Sequence, residues 1–122
     1  MQSLENTMLI TDLDGTLLPA SKEISVADAA AISQFRAKGG KFEIATGRTL
    51  QAAQRYLKKL QPNIPVILFN GAAIYDPVAE KWLYTEELPP EAAAITRQVL
   101  EAFPDVSAEI LRTDGTYVSR MT

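Results

Sequence analysis

Short apolar runs alternate with longer segments of helical periodicity in the first part of the chain. The run Met8 to Thr11 (MLIT) leads into the acidic loop DLDGT, a pattern typical of a buried parallel strand that ends in a loop. A second run, Phe42 to Ala45 (FEIA), leads into TGR, and a third, Pro65 to Phe69 (PVILF), ends at Asn70-Gly71. The pattern predicts three strands.

Two amphipathic helices are expected between these strands. Ser25 is a suitable cap for a helix that runs to about Lys38, where Gly39-Gly40 would end it. The second helix is expected from Thr49 to Leu60. The predicted inward faces are Val26, Ala29, Ile32 and Phe35 in the first helix, and Leu50, Ala53, Leu57 and Leu60 in the second. Strands and helices that alternate at βαβ spacing predict an α/β fold with an open parallel sheet.

The pattern changes after Gly71. The segments AAIYD and KWLYT flank PVAE, which predicts an antiparallel hairpin. The aromatic residues Tyr75, Trp82 and Tyr84 alternate along these strands, which is more typical of packing than of a substrate platform. Glu86 to Pro90 (EELPP) indicates a boundary, so we expect one domain over residues 1-85 and the start of another over 86-122.

The second segment has its own pattern of elements. Glu91 to Phe103 has helical periodicity, with Ile95 and Val99 on the same stripe as Phe103. Two strands, about 106–111 and 116–119, are expected to meet at a turn on Asp114-Gly115. The sequence therefore predicts an α+β arrangement for this part of the chain.

Composition and charge exclude several classes of function. The chain has 122 residues, of which 47% are hydrophobic and 22% charged, as in a soluble globular protein. It contains no apolar run near the ~20 residues of a membrane helix, and its N-terminus lacks the pattern of a signal peptide, so we expect a cytoplasmic protein with no membrane partner. A net charge of -3 argues against a nucleic-acid-binding surface.

The chain contains no cysteine and no histidine. This composition excludes thiol nucleophiles, disulfides, Ser-His-Asp catalysis and the usual zinc sites. Any chemistry within this chain must use carboxylates, hydroxyls and backbone amides, with or without a cation that prefers oxygen ligands.

Asp12 and Asp14 lie two residues apart at the end of the first predicted strand, where alternation places both side chains on one side of an extended backbone. Doubly wound sheets bind ligands beyond the carboxyl ends of their strands. One interpretation is a simple bend at Asp14-Gly15, because Asp and Gly favour turns. The other is a magnesium site for phosphoryl transfer, since a cation would relieve the repulsion between two carboxylates.

Three motifs, in order and at matching spacing, carry a resemblance to a known family. The string LITDLDGTLL resembles the first motif of the haloacid dehalogenase superfamily, and IATGR, from Ile44 to Arg48, resembles the second. The segment LFNGAAIYD, from Leu68 to Asp76, is similar to the Cof-like sugar-phosphatase branch. The resemblance implies a partial, open parallel Rossmann-like core, followed by the beginning of an α+β cap domain.

The resemblance also implies residue roles. Asp12 would be the nucleophile and a Mg²⁺ ligand, and Asp14 would be the general acid and base and a second metal ligand through its backbone carbonyl. Thr46 would bind the phosphoryl oxygen through its hydroxyl, with help from the Gly47 amide; the alternative for Thr46 is a helix cap. The residues implied in phosphate or substrate binding are Leu13, Thr46, Gly47, Arg48, Asn70 and Gly71. A plain turn is the alternative for Asn70-Gly71, and an exposed position the alternative for Arg48.

The resemblance is incomplete, because the later motifs of the superfamily supply a lysine and further aspartates downstream of the cap. Lys38, Lys41, Lys58 and Lys59 do not occupy a matching context. We therefore expect an N-terminal fragment of a phosphatase that acts on small phosphate esters, such as sugar phosphates, and expect this chain alone to be inactive. The alternatives are a phosphomutase and a non-catalytic binding or assembly module.

The resemblance further implies that the first strand forms an edge of the sheet in this chain, because its neighbour on one side would come from the fourth motif. Exposed apolar edges recruit other strands. We therefore expect a homo-oligomer, formed through this edge or through the strands of the cap.

Overall fold

The computed structural model describes residues 3–119, which contain three helices and seven strands. The helices are α1 (Val26–Ala37), α2 (Leu50–Leu60) and α3 (Ala92–Ala102). The strands are β1 (Met8–Thr11), β2 (Lys41–Ile44), β3 (Val66–Leu68), β4 (Ala73–Asp76), β5 (Lys81–Thr85), β6 (Glu109–Arg112) and β7 (Gly115–Val118). The chain forms two compact units, Met1–Thr85 and Glu86–Thr122. The role of the second unit as the start of a cap stays a prediction.

The first unit contains the predicted parallel strands. β1 pairs in parallel with β2, from Met8 opposite Lys41 to Thr11 opposite Ile44. A parallel bridge between Ala45 and Ile67 then joins the end of β2 to β3. Antiparallel pairing continues from β3 to β4 and from β4 to β5, so the predicted hairpin extends the sheet. The α/β fold class and the parallel sheet are thus confirmed.

The apolar run of β1 is exposed, so the prediction of a buried strand from its pattern is wrong. Met8, Leu9 and Ile10 are 55%, 41% and 51% exposed. Among the described strands, β1 pairs only with β2, and the buried residues of the core lie beyond it on other elements. β1 is therefore an edge strand within the described part of the chain.

The core of the first unit lies between the strands and the two helices. Its largest fully buried side chains are Phe42, Leu13, Ile44, Leu60, Leu68 and Val66. The predicted inward residues Ala53, Leu57 and Leu60 of α2 are buried as expected. Tyr56 is also buried, at 3% exposure, although the apolar stripe did not include it.

The ends of α1 agree with the sequence, but its first turn does not. The Ser25 hydroxyl accepts a hydrogen bond from the Asp28 amide at 3.0 Å and caps the helix as predicted. Val26 is 86% exposed, so its inward assignment is wrong; only later positions of the stripe, such as Ile32, contact the core. After the helix, Gly40 lies under the ring of Phe35, where a Cβ atom would be 2.4 Å from a ring carbon.

The aromatic residues of the hairpin pack against one another. The rings of Tyr75 and Trp82 are 5.0 Å apart in an edge-to-face arrangement, and Phe69 lies 6.0 Å from Trp82. Edge-to-face contacts of this kind stabilise a sheet beyond the burial of area. The packing interpretation of Tyr75 and Trp82 is therefore confirmed.

The second unit consists of α3 and the β6–β7 hairpin. β6 and β7 begin and end within three residues of their predicted bounds, and the pairing of Arg112 with Gly115 places the turn at Thr113 and Asp114, one residue earlier than predicted. The predicted stripe of α3 is exposed in the structure, at Ile95, Val99 and Phe103. Across residues 3–119, no helix has the length and apolar character that crossing a membrane requires.

Candidate functional site

The carboxyl ends of β1, β2 and β3 meet at a shallow cavity of about 400 Å³. Parallel strands bring their carboxyl ends to the same edge of a sheet, which is where ligands bind in such folds. The residues that line the cavity are Ile10, Thr11, Asp12, Ala45, Thr46, Gly47, Ile67, Asn70 and Gly71. The structure therefore brings five of the predicted site residues to one surface, namely Asp12, Thr46, Gly47, Asn70 and Gly71.

Asp12 is exposed directly after β1. Its Oδ1 accepts a hydrogen bond from the Leu13 amide at 2.7 Å, which fixes the orientation of the carboxylate. The Leu13 side chain is fully buried in the core, so it does not reach a ligand, and only the backbone of Leu13 lies near the site. Only its backbone could take the implied phosphate-binding role of Leu13, which stays a prediction.

The Asp14 carboxylate accepts three hydrogen bonds from two cationic side chains, those of Arg48 and Lys22. Arg48 binds its carboxylate with two hydrogen bonds, from Nε to Oδ2 and from Nη2 to Oδ1, each 2.8 Å long. Lys22 Nζ binds Oδ1 at 2.9 Å. Paired bonds from the planar guanidinium fix both the position and the plane of a carboxylate. The exposed interpretation of Arg48 is therefore incomplete, because its side chain has a specific partner.

The electrostatics of this cluster favour an ionised carboxylate. The hydrogen bonds from Arg48, and then those from Lys22, hold the pKa of Asp14 well below its usual range. Bonds that favour the charged form of a group lower the pKa of an acid. In this arrangement the Asp14 carboxylate is a weak proton acceptor and has no proton to donate.

Thr46 is 5% exposed and is held by hydrogen bonds from three of its atoms. Its amide donates to the Ile67 carbonyl, its carbonyl accepts from the Asn70 amide, and its Oγ1 accepts from the Arg48 amide at 3.1 Å. The helix-cap interpretation of Thr46 is wrong, because Thr49 caps α2 by accepting from the Ala52 amide. The Thr46 hydroxyl only accepts in its bond with the Arg48 amide, so it retains a proton that it can donate to a ligand.

Gly47 and Asn70 approach each other closely across the cavity. A Cβ atom at position 47 would lie 2.7 Å from Asn70 Oδ1, so only glycine fits beside this amide. Phe69 and Asn70 both have left-handed backbone angles, with φ of 53° and 55°, inside a short 3-10 turn, Phe69–Gly71. Two successive non-glycine residues in this conformation are strained, and such strain is concentrated at functional sites. The turn and the site interpretations of Asn70 are therefore compatible.

The oxygen atoms of this site fit part of a magnesium shell. Mg²⁺ prefers six oxygen ligands and commonly keeps several waters. The Asp12 carboxylate and the Asp14 carbonyl have the required chemistry, whereas the Asp14 carboxylate is bound by Arg48 and Lys22. Within residues 3–119 there is no group of three or more acidic, histidine or cysteine side chains that could hold a metal ion.

Two residues near the site did not emerge from the sequence. Lys22 was outside every motif, and Tyr56 was outside the apolar stripe of α2. The Arg48 guanidinium lies 5.1 Å from the centre of the Tyr56 ring, so Tyr56 contacts a side chain that binds Asp14. The spacing between motifs does not predict the contacts of Lys22 and Tyr56 with this cluster, because these contacts depend on the path of the loop after β1.

Comparison with known proteins adds independent evidence. The profile of a family described as haloacid dehalogenase-like hydrolase matches residues 9–122. HMP-PP phosphatase of Cronobacter sakazakii is 32% identical over 99 residues, which cover 81% of this chain and 35% of that protein. A Bacillus subtilis protein, 5-amino-6-(5-phospho-D-ribitylamino)uracil phosphatase YitU, is 29% identical over 107 residues, which cover 85% of this chain and 40% of that protein.

A solved structure gives the corresponding result for the fold. The structure of a HAD subclass IIB sugar phosphatase superposes with a TM-score of 0.72 and 25% identity, covering 92% of this chain and 43% of that one. The chain thus spans less than half the length of each of these proteins.

Proposed function

This chain belongs to the haloacid dehalogenase-like hydrolase family, and we propose that the whole protein hydrolyses small phosphate esters through an aspartyl-phosphate intermediate. The observation that carries the proposal is the surface shared by Asp12, Thr46 and Gly47 at the carboxyl ends of two parallel strands. A free carboxylate oxygen, a hydroxyl and a glycine amide at one cavity suit a tetrahedral phosphoryl group. Relatives of this chain that are phosphatases support the same reaction class.

The proposed first step uses Asp12 as a nucleophile. One of its oxygens is held by the Leu13 amide, so the other is oriented toward the cavity and attacks phosphorus in line with the leaving oxygen. The phosphorus–oxygen bond to the leaving alcohol breaks, and the alcohol takes a proton from Asp14. Thr46 donates a hydrogen bond to a phosphoryl oxygen in this step, because its hydroxyl retains a proton.

The second step reverses the proton transfer. Asp14 takes a proton from a water molecule, the water oxygen attacks phosphorus, and the bond to Asp12 breaks, so phosphate leaves and the carboxylate is restored. Arg48 and Lys22 keep Asp14 ionised in its observed state, but by holding its pKa low they also weaken it as a base, so this role depends on loosening of these ion pairs. Its role as acid requires a rearrangement of one of these ion pairs when the substrate binds.

Phosphatases of this family are generally dependent on Mg²⁺, and we propose that this protein is too. Asp12 and the Asp14 carbonyl would supply two of its ligands. When bound, the cation would neutralise charge on the phosphoryl oxygens.

Sugar phosphates and related phosphorylated metabolites are the proposed substrates. The support comes from the similar sugar phosphatase structure and from the two phosphatase relatives. Cap loops choose the substrate in such enzymes. A cytoplasmic location is proposed together with this substrate class.

The test is phosphate release by the whole protein, measured on a panel of sugar phosphates, nucleoside monophosphates and a generic aryl phosphate. We expect turnover with Mg²⁺, with higher kcat/KM for at least one sugar phosphate than for the aryl phosphate, and loss of turnover with a chelator. Turnover that persists in the chelator would contradict the magnesium proposal, and no phosphate release from any ester would contradict the phosphatase proposal.

A further inference from the structure

The loop between β1 and α1 has an unusual backbone at Lys22. Lys22 has φ of 62°, in the left-handed region that a non-glycine residue adopts only at a cost in free energy. Its amide donates a hydrogen bond to the Pro19 carbonyl at 2.9 Å, which closes a turn. Such a conformation persists where neighbouring groups hold it in place.

The group that holds this backbone is on α2. The Tyr56 hydroxyl donates a hydrogen bond to the Lys22 carbonyl at 2.8 Å, and Tyr56 itself is almost fully buried. Arg55 Nη2 bonds to the same hydroxyl and lies 3.4 Å from the same carbonyl. The carbonyl of Lys22 is therefore anchored to a rigid helix, although Lys22 belongs to a loop.

This anchor holds the Lys22 backbone where its side chain reaches Asp14. Lys22 Nζ lies 2.9 Å from Asp14 Oδ1, the same oxygen that accepts a hydrogen bond from Arg48 Nη2. Arg48 is itself held by α2, because its Nη1 donates to the Ala52 carbonyl at 3.0 Å and its guanidinium stacks over the Tyr56 ring. Tyr56 thus contacts both residues that bind Asp14: the backbone carbonyl of Lys22 through its hydroxyl and the guanidinium of Arg48 through its ring.

We propose that Lys22 is a positioning residue for Asp14 and that the Tyr56 hydroxyl keeps Lys22 in place. This inference rests on the proposed function and deepens it. An exposed ion pair on its own contributes little to a structure. Here the pair belongs to a network. Two cations, Lys22 and Arg48, bind the Asp14 carboxylate, and the buried Tyr56 hydroxyl holds the strained backbone of Lys22. The effect of the pair is therefore on the geometry of the site.

The first test uses amide hydrogen exchange and the side-chain NMR signal of Arg48 Nε in this 122-residue chain. Tyr56→Phe removes only the hydroxyl, and Tyr75→Phe is the matched control, because Tyr75 is also buried but packs against Trp82. We expect the Lys22 amide to exchange about fivefold faster in Tyr56→Phe, as one lost hydrogen bond allows, with a shifted Arg48 Nε signal. Tyr75→Phe is expected to change neither.

The second test measures kcat and KM separately in the whole protein. Lys22→Met is expected to lower kcat about tenfold with little change in KM, because the role is orientation of the carboxylate rather than substrate binding. Lys22→Arg is expected to recover most of the lost kcat, since it restores the charge. Lys59→Met, on the exposed face at the end of α2, is the control for loss of one lysine. Addition of Tyr56→Phe to Lys22→Met is expected to lower kcat no further.

The outcomes separate this inference from the proposed function. Unchanged exchange at Lys22 in Tyr56→Phe would overturn the anchor, and equal kcat values for Lys22→Met and Lys59→Met would overturn the positioning role. A whole protein without phosphatase turnover would count against the proposed function and the positioning role together, whereas the exchange result would still stand for or against the anchor.

Discussion

Asp12 and Asp14 lie two residues apart, but their carboxylates have different partners. The spacing of Asp12 and Asp14 predicted two acids at the end of a strand, and the structure places both there. Their surroundings differ, because the Asp12 carboxylate accepts from the neighbouring Leu13 amide while Asp14 is held by Arg48 and Lys22. This difference arises from residues 8 and 34 positions away in the chain, which no local pattern indicates.

Gly40 has a second role that its position in the sequence does not indicate. It was predicted to end the first helix, and it also packs against the ring of Phe35. Gly40→Ala would place a methyl group 2.4 Å from the Phe35 ring, and the ring or the backbone would have to move. We expect a loss of about 1–3 kcal/mol in the free energy of unfolding, the usual cost of overpacking. Urea denaturation of this chain measures it.

The control for Gly40→Ala is Ser33→Ala, at an exposed position of α1. This variant is expected to unfold within about 0.5 kcal/mol of the original chain, as surface substitutions commonly do. Equal stability of the two variants would show that Phe35 does not occupy the position described.

At the scale of elements, the sequence predicted most bounds but not two of the details. The observed ends of the strands and helices agree with the predicted ends within a few residues. This agreement arises because apolar periodicity and glycine residues at the ends of elements act locally. A helix cap was the alternative interpretation of Thr46, but the residue that caps α2 is Thr49, three positions later; both are good capping residues, and their sequence context does not separate them. The exposure of β1 depends on which strands lie beside it, which a run of apolar residues does not encode.

The capping role of Thr49 can be measured directly. Thr49→Ala removes the acceptor for the Ala52 amide and is expected to destabilise the chain by about 1 kcal/mol. Thr49→Ser keeps the hydroxyl and is expected to recover most of that loss. Thermal or urea unfolding followed by circular dichroism gives both values, and a Thr49→Ser variant no more stable than Thr49→Ala would contradict the capping assignment.

At the scale of the whole molecule, the motifs predicted the family and the fold. The metal site and the oligomeric state also depend on groups outside these motifs. The family match and the similar solved structure confirm the predicted family. Binding of Mg²⁺ depends on ligands that converge in space, and two oxygens do not form a complete shell. Roles for the predicted site residues therefore stay proposals that mutation can test.

We expect this chain alone to bind Mg²⁺ weakly and to show little phosphatase activity. Within residues 3–119, no third acidic side chain joins Asp12 and Asp14, and cation affinity rises with the number of charged oxygen ligands. Titration calorimetry with MgCl₂ and an assay on a generic phosphate ester measure the two properties. A dissociation constant tighter than about 10 μM, or robust Mg²⁺-dependent turnover, would show that this chain carries a complete site.

We also expect this chain to self-associate through β1. Its exposed apolar residues lie on a strand that pairs on one side only among the described strands. An antiparallel pair of β1 strands from two copies would satisfy the free backbone groups of both, and the contact would be self-complementary. Sedimentation at micromolar concentration should show a dimer, and Ile10→Lys should shift it toward monomer. A monomer with a well-dispersed NMR spectrum would contradict this expectation.

The central claim is that Asp12 receives the phosphoryl group, and the most direct test is kcat of Asp12→Asn in the whole protein. The substitution keeps the shape of the side chain but removes the nucleophile, so we predict a fall of at least about a thousandfold in kcat with an unchanged circular dichroism spectrum. Asp76→Asn, at the end of β4 where its carboxylate accepts from the Val78 and Ala79 amides, is the matched control and should retain activity. Turnover by Asp12→Asn within a few-fold of the unsubstituted protein would contradict the account.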